Sequence, residues 1–196
     1  FYDQGGASNN YENNTDQTIT FTPAAAGQYV QLNFTSFTTN SRSDYLLIYD
    51  GPNTSSTLLG RFSLSATPGI IGARNGSGQL TVRFISDGLS VASGWAATIS
   101  CVASPVEPSI IIMTNGASVT TCTATFYDDG GSSGDYENNT DQTITFNSQG
   151  SGQTVRLVFS SFATESGSDV ITFYDGPSTA SPVINSFSGF SSPGTI

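Results

Sequence analysis

Apolar and polar side chains alternate along this chain with a period of two. Val30, Leu32 and Phe34 fall on one side, with Gln31, Asn33 and Thr35 on the other; Leu80, Val82 and Phe84 alternate with Thr81 and Arg83; Ile19 and Phe21 alternate near the start, and Trp95, Ala97 and Ile99 near residue 100. That period gives each segment one face for a core and one for solvent, the pattern of a half-buried strand. Denser apolar runs at 44–49, 58–62, 70–71 and 110–113 predict strands with little solvent face. Gly-, Asn-, Ser- and Pro-rich turns separate them, and no stretch carries helical spacing, so the pattern predicts an all-β sandwich.

The run Ser43-Asp44-Tyr45-Leu46-Leu47-Ile48-Tyr49-Asp50-Gly51-Pro52 returns as Ser168-Asp169-Val170-Ile171-Thr172-Phe173-Tyr174-Asp175-Gly176-Pro177, 125 positions later. The offset holds without a gap between residues 1–71 and 126–196, with 39 of 71 positions identical. A period of that length describes whole domains in tandem rather than solenoid units. The expected organisation is a first domain at 1–101, a linker at 102–109 stiffened by Pro105 and Pro108, and a second domain at 110–196. The second copy stops at the counterpart of Ile71, so it is expected to be incomplete, with the chain continuing past Ile196.

Fifteen acidic residues stand against five arginines, with no lysine and no histidine, for a net charge of −10. This balance argues against nucleic acid as partner, and the lack of histidine excludes His-based triads and His-containing zinc sites. No apolar run approaches the length of a membrane span. Carboxylates gathered at the ends of strands repel one another unless a cation sits among them. Loops offering carboxylates and carbonyls without octahedral precision suit Ca²⁺ better than Mg²⁺. The competing reading is that Asp44 and Asp169 cap turns and are solvated. The cluster Asp128, Asp129, Asp135, Glu137 and Asp141, with Asp3, Glu12 and Asp16 as its counterpart, reads as solvated loop. Asp50 and Asp175, each followed by Gly-Pro, read as turn formers, and Tyr11 and Tyr136 as packing residues. Paired carboxylates in a repeated module without a deep pocket make glycoside cleavage a poor reading, so no catalytic residues are assigned and the chain is read as not an enzyme.

The sandwich plan, the element Asp44 to Gly51, the later Phe84-Ile85-Ser86-Asp87-Gly88 and the closing Gly94-Trp95-Ala96-Ala97-Thr98-Ile99 together resemble the CUB domain. Phe-Tyr-Asp-x-Gly-Gly and the lead-in Thr114 to Cys122 look most like CUB modules of large secreted or cell-surface proteins of Bacteroidetes, many exported by the type IX system. The resemblance implies a two-sheet jelly-roll β-sandwich repeated in tandem, a non-catalytic binding role and often calcium. It also implies the ligands: Asn40, where the family has Glu, with Asp44, Asp87 and Ser90 in the first domain, and Glu165 with Asp169 in the second. Asn40 offers a carbonyl oxygen but one charge fewer, which lowers affinity for a hard cation. At positions where family members carry disulfides, Thr22, Ser63, Asn147 and Ser188 stand instead. Cys101 and Cys122 either pair across the linker or have partners outside the sequence; either arrangement implies an oxidising, extracellular setting. Asn13, Asn33, Asn53, Asn75 and Asn138 open Asn-x-Ser/Thr triplets, which matter only in a eukaryotic secretory route.

The function this reading implies is a calcium-stabilised extracellular binding or adhesion module within a longer multi-CUB surface adhesin or filament. Its expected partners are an extracellular protein or glycan and further CUB repeats, with a basic side chain of the partner set against the liganding carboxylates. The alternative is an ancillary protein- or carbohydrate-binding module of a secreted hydrolase.

Overall fold

The structure is a computed structural model that describes residues 1–105, 110–132 and 134–196. Strands are its only regular elements among the described residues. In the first repeat β1 (Asp16–Phe21), β2 (Tyr29–Thr38), β3 (Tyr45–Asp50), β4 (Thr57–Ser63), β5 (Ile70–Gly72), β6 (Leu80–Ile85) and β7 (Gly94–Val102) form two antiparallel sheets, ordered β1-β6-β3-β4 and β5-β2-β7. The alternation seen in the sequence sets the register. Leu46 lies opposite Phe84 and Ile48 opposite Val82 in one sheet, and Leu32 lies between Ile71 and Ile99 in the other. The inward sets meet in a core in which Leu32, Leu46, Ile48 and Leu80 are fully buried. Each such side chain contributes about 1.5–3 kcal/mol relative to exposure. Trp95 closes the core edge-on to Phe84, ring centroids 4.9 Å apart.

Gly51 follows Asp50 with φ of 153°, and its counterpart Gly176 has φ of 151°. A Cβ there would lie 2.3 Å from Ser56 Oγ in the first repeat and 2.4 Å from Ser181 Oγ in the second, so both turns require glycine. Asp50 does more than form this turn. Its Oδ1 accepts the main-chain N–H groups of Arg74 and Asn75 at 2.9 and 3.1 Å and the Asn75 side-chain amide at 2.6 Å, tying the β5–β6 loop to the end of β3.

The second repeat opens with β8 (Ile110–Ile112), β9 (Ala117–Thr120), β10 (Thr125–Tyr127) and β11 (Ile144–Asn147), with β8 parallel to β10 and β9 beside β11. The chain divides into two compact units, Phe1–Phe146 and Asn147–Ile196. That division does not follow the repeat boundary expected at 102–109, of which residues 106–109 lie outside the described residues. The physical reason is packing. Ile112 belongs to the first sandwich's core, Ile110 and Tyr127 lie against it, and the Arg61 N–H donates to Thr114 Oγ1 at 3.0 Å.

In the unit from Asn147 to Ile196, β12 (Ile171–Tyr174) and β13 (Val183–Phe187) form a hairpin like β3 with β4. The N–H of Phe159 donates to Gly194 O at 2.8 Å, just as the N–H of Phe34 donates to Gly69 O at 2.9 Å, so the β2–β5 pairing also recurs at the same offset. Phe159, Phe162, Phe173 and Phe187 stack edge-to-face as a small cluster.

Candidate cation-binding site

Asp44 is the last residue before β3, and Asp87 follows β6. Because Tyr45 is in register with Ile85, the antiparallel pairing delivers both aspartates to one end of the same sheet. The Asp87 N–H donates to Asp44 Oδ1 at 2.8 Å. The Tyr11 hydroxyl donates to Asp44 Oδ2 at 2.6 Å and accepts the Asn40 N–H at 2.8 Å. Asn40, Asp44 and Asp87, far apart in sequence, are thereby brought together, with Tyr11 as the joint. Asp87 also turns its own Oδ1 to the N–H of Leu89, 2.9 Å away, and Ser90 follows as an exposed residue.

Asp44 is wholly buried, at 0% exposure. Its carboxylate receives two hydrogen bonds and has no cationic side chain paired with it among the described residues. An ionised carboxylate in that position is costly unless it is neutralised or fully hydrogen-bonded. Burial, and next the Asp44 carboxylate, push the Tyr11 hydroxyl well above its ordinary titration range, so Tyr11 remains a donor. Its ring packs edge-on to Phe84 at 5.0 Å, which fixes the hydroxyl's position.

No group of three or more His, Cys, Asp and Glu side chains suited to a metal occurs among the described residues. Of the first-repeat residues expected as ligands, the two carboxylates meet through the Asp87 N–H and Asn40 joins by its main-chain N–H on Tyr11, while Asn40 and Ser90 have exposed side chains. Each Asp44 oxygen keeps a second lone-pair site after its hydrogen bond, so an oxygen-seeking cation of flexible coordination fits the donor set. In the second repeat the N–H of Asp169 donates to the main-chain carbonyl of Glu165 at 3.1 Å, and Thr164 Oγ1 donates to Asp169 O at 3.1 Å. Glu165 and Asp169 therefore share one loop, with Glu165 exposed and Asp169 half-buried.

The acidic residues read as solvated loop divide into two kinds. Asp3 and Asp129 are buried. Asp3 accepts the N–H groups of Gly5 at 2.8 Å and Trp95 at 3.0 Å, stitching the start of the chain to β7. Asp129 accepts the Glu137 N–H at 3.1 Å and the Gln142 amide at 2.9 Å and pairs with Arg42. Asp16 is exposed and held bidentately by Arg83 at 2.7 and 2.6 Å, which lowers its pKa below the usual carboxylate range. Asp128, Asp135 and Asp141 are exposed. No disulfide joins Cys101 to Cys122; both side chains are exposed. Tyr11 and Arg42 are the two residues that strand periodicity did not mark. Tyr11 lies in the eleven-residue segment repeated verbatim from Tyr136 to Phe146, which is the one sequence signal for it.

The first repeat is a two-sheet antiparallel sandwich with acidic side chains converging at one end. The CUB domain family model matches residues 5–99, and this segment of the chain belongs to the CUB family. Cubilin of Canis lupus familiaris is 32% identical over 176 residues that cover 84% of this chain, and so both repeats. Cubilins of Sus scrofa and Homo sapiens are 31% and 30% identical over the same length. The chain spans only 5% of each cubilin. Among solved structures, the CUB1-EGF-CUB2 domain of human MASP-1/3 matches at a TM-score of 0.43 and 19% identity, covering 56% of this chain and 42% of that one.

Proposed function

We propose that this chain is a stretch of a longer, secreted or surface-held protein built of CUB repeats, non-catalytic, serving as an adhesin or filament. In this reading its binding end is the loop cluster of Asn40, Asp44, Asp87 and Ser90, stabilised by calcium. The observation that carries the reading is the wholly buried Asp44 carboxylate, gripped by Tyr11 and the Asp87 N–H yet unpaired with any cation among the described residues. Asp44, Asp87, the Asn40 amide oxygen and Ser90 would hold the ion in the first repeat, and Glu165 with Asp169 would contribute in the second. Bound there, calcium supplies positive charge to a carboxylate already withdrawn from water. Tyr11 orients Asp44, and Asp87 fixes the β6–β7 loop against it. The partner is an extracellular protein presenting a lysine or arginine, or a glycan, steered in by the net charge of −10. The wording of the repeats supports export of the type IX kind from a member of the Bacteroidetes, and the 125-residue offset between residues 1–71 and 126–196 supports an architecture of such repeats in series.

Calorimetric titration with calcium, paired with melting in calcium and in chelator, tests this. Extracellular sites bind at about 10⁻⁴ to 10⁻³ M, so millimolar calcium should stabilise the folded chain by about 1 kcal/mol, and Asp44→Asn should remove the gain. Identical melting in calcium and chelator would sink the calcium part of the proposal.

A further inference from the structure

Three positions at which the repeats differ meet in space. Arg42 and Arg61 of the first repeat are replaced by Gly167 and Ser186 in the second, while Asp129 of the second stands where the first has Gln4. Arg42, in the loop between Asn40 and Asp44, pairs through Nη1 with Asp129 Oδ2 at 3.3 Å, the two side chains being only 19% and 9% exposed. Its Nη2 donates to the main-chain carbonyl of Asp135. Arg61, lying over the Tyr45 ring at 4.0 Å, donates from its Nη2 to the carbonyl of Arg42 and holds that loop in place. Backbone contact is close as well. A Cβ on Gly131 would come within 2.7 Å of the Ala66 Cβ, and Gly131 has φ of 75°. Arg42 Nη1 is out of solvent and makes no hydrogen bond, so the charge of Asp129 is what compensates it.

We propose that Arg42 and Asp129 form the specificity pair of an inter-repeat joint. The 40–44 end of one CUB sandwich docks the opening loop of the following repeat when that loop carries an acid at the position of Asp129, and the partner it fits is a repeat beginning Tyr-Asp-Asp-Gly-Gly. Two copies of the first repeat in series would set Gln4 against Arg42. Two copies of the second would set Asp129 against Gly167. Each combination leaves one desolvated charge without its partner, which penalises the wrong order. Serial order is thus encoded in residues that leave the strand pattern untouched. The pair needs no metal, so this joint stands or falls separately from the calcium reading even though Arg42 lies between two of the candidate ligands.

The test is amide hydrogen exchange on the full chain carrying Arg42→Gln, Asp129→Asn and both together, read at the Glu137 amide that Asp129 accepts. Each single change should speed exchange there by about tenfold, more than a solvent-exposed ion pair supplies, with the amides of Leu46 and Val82 unmoved. The double variant should exchange no faster than the faster single, because both changes remove one interaction, while Arg42→Lys should stay within about threefold of the native chain. Unchanged exchange in either single variant, or effects that multiply in the double, would overturn the proposal. Asp129→Asn, isosteric with the native carboxylate, carries the same expectation and the same refutation by itself if Arg42→Gln disturbs the core amides.

Discussion

Two hydrogen bonds hold the Asp44 carboxylate, and they differ in kind. One comes from the backbone of Asp87 and survives any side-chain change there; the other depends wholly on the Tyr11 hydroxyl. Tyr11→Phe keeps the ring against Phe84 and strips Asp44 Oδ2 of its donor and the Asn40 N–H of its acceptor. The expected loss is about 2–3 kcal/mol in a denaturant melt at neutral pH, the scale of a buried hydrogen bond to a charged group. The same hydroxyl gives an alkaline signature. Its folded-state pKa lies above the ordinary tyrosine value, raised first by burial and then by Asp44. The folded chain therefore holds that proton more tightly than the unfolded one. Its contribution is fully present below about pH 10 and is lost as pH rises further. Melts between pH 9 and 11 should show this decline in the native chain and a shallower one in Tyr11→Phe; parallel profiles would place the titration elsewhere. The convergence of Asp44 and Asp87 was legible in the sequence, since each borders a strand whose apolar alternation fixes its register. The role of Tyr11 was not, because a tyrosine that opens a verbatim repeat looks the same whether it only packs or also donates.

Asp50 and Asp175 occupy the same word in the two repeats, and at the scale of elements they do different things. Asp50 gathers three donors from Arg74 and Asn75 and so joins the end of β3 to the loop that leads into β6. The exposed Asp175 is tied in through its main-chain N–H, which donates to Pro182 O at 2.8 Å across the β12–β13 turn. Asp50→Ala should destabilise the first sandwich by about 2–3 kcal/mol, because two backbone donors and an amide lose a charged acceptor. Asp175→Ala should stay within about 0.5 kcal/mol of the native chain. Urea melts followed by Trp95 fluorescence, which reports the first sandwich, and by hydrogen exchange across β12 compare the two. Equal costs would mean that the turn alone, shared by both, accounts for Asp50. Strand positions and turn chemistry were readable because they follow local periodicity and glycine geometry. The anchoring of Asp50 to residues 24 and 25 positions downstream follows from sheet topology, and no local pattern encodes it.

Across the whole molecule, the same apolar positions of the two repeats carry unequal burial. Val30, Leu32 and Phe34 are 1%, 0% and 6% exposed, whereas of their counterparts Val155 is 41% exposed and Leu157 and Phe159 are only half-buried. In the first repeat β2 is flanked by β5 and β7, and β3 by β4 and β6. In the unit 147–196 the backbone of the β2 counterpart pairs only with the 194–196 segment among the described residues, and β12 pairs only with β13. A hairpin and a short bridge pack one face around a few phenylalanines, where the first sandwich closes two sheets over a shared core. Opening such a unit exposes little additional apolar surface, so its free energy of opening is small. Amides at 155–159 and 171–174 should therefore exchange faster than those at 30–34 by at least about a hundredfold in the 196-residue chain, at a pH where intrinsic rates are matched. Equal protection in both segments would show that the second repeat draws stability from contacts beyond its own strands.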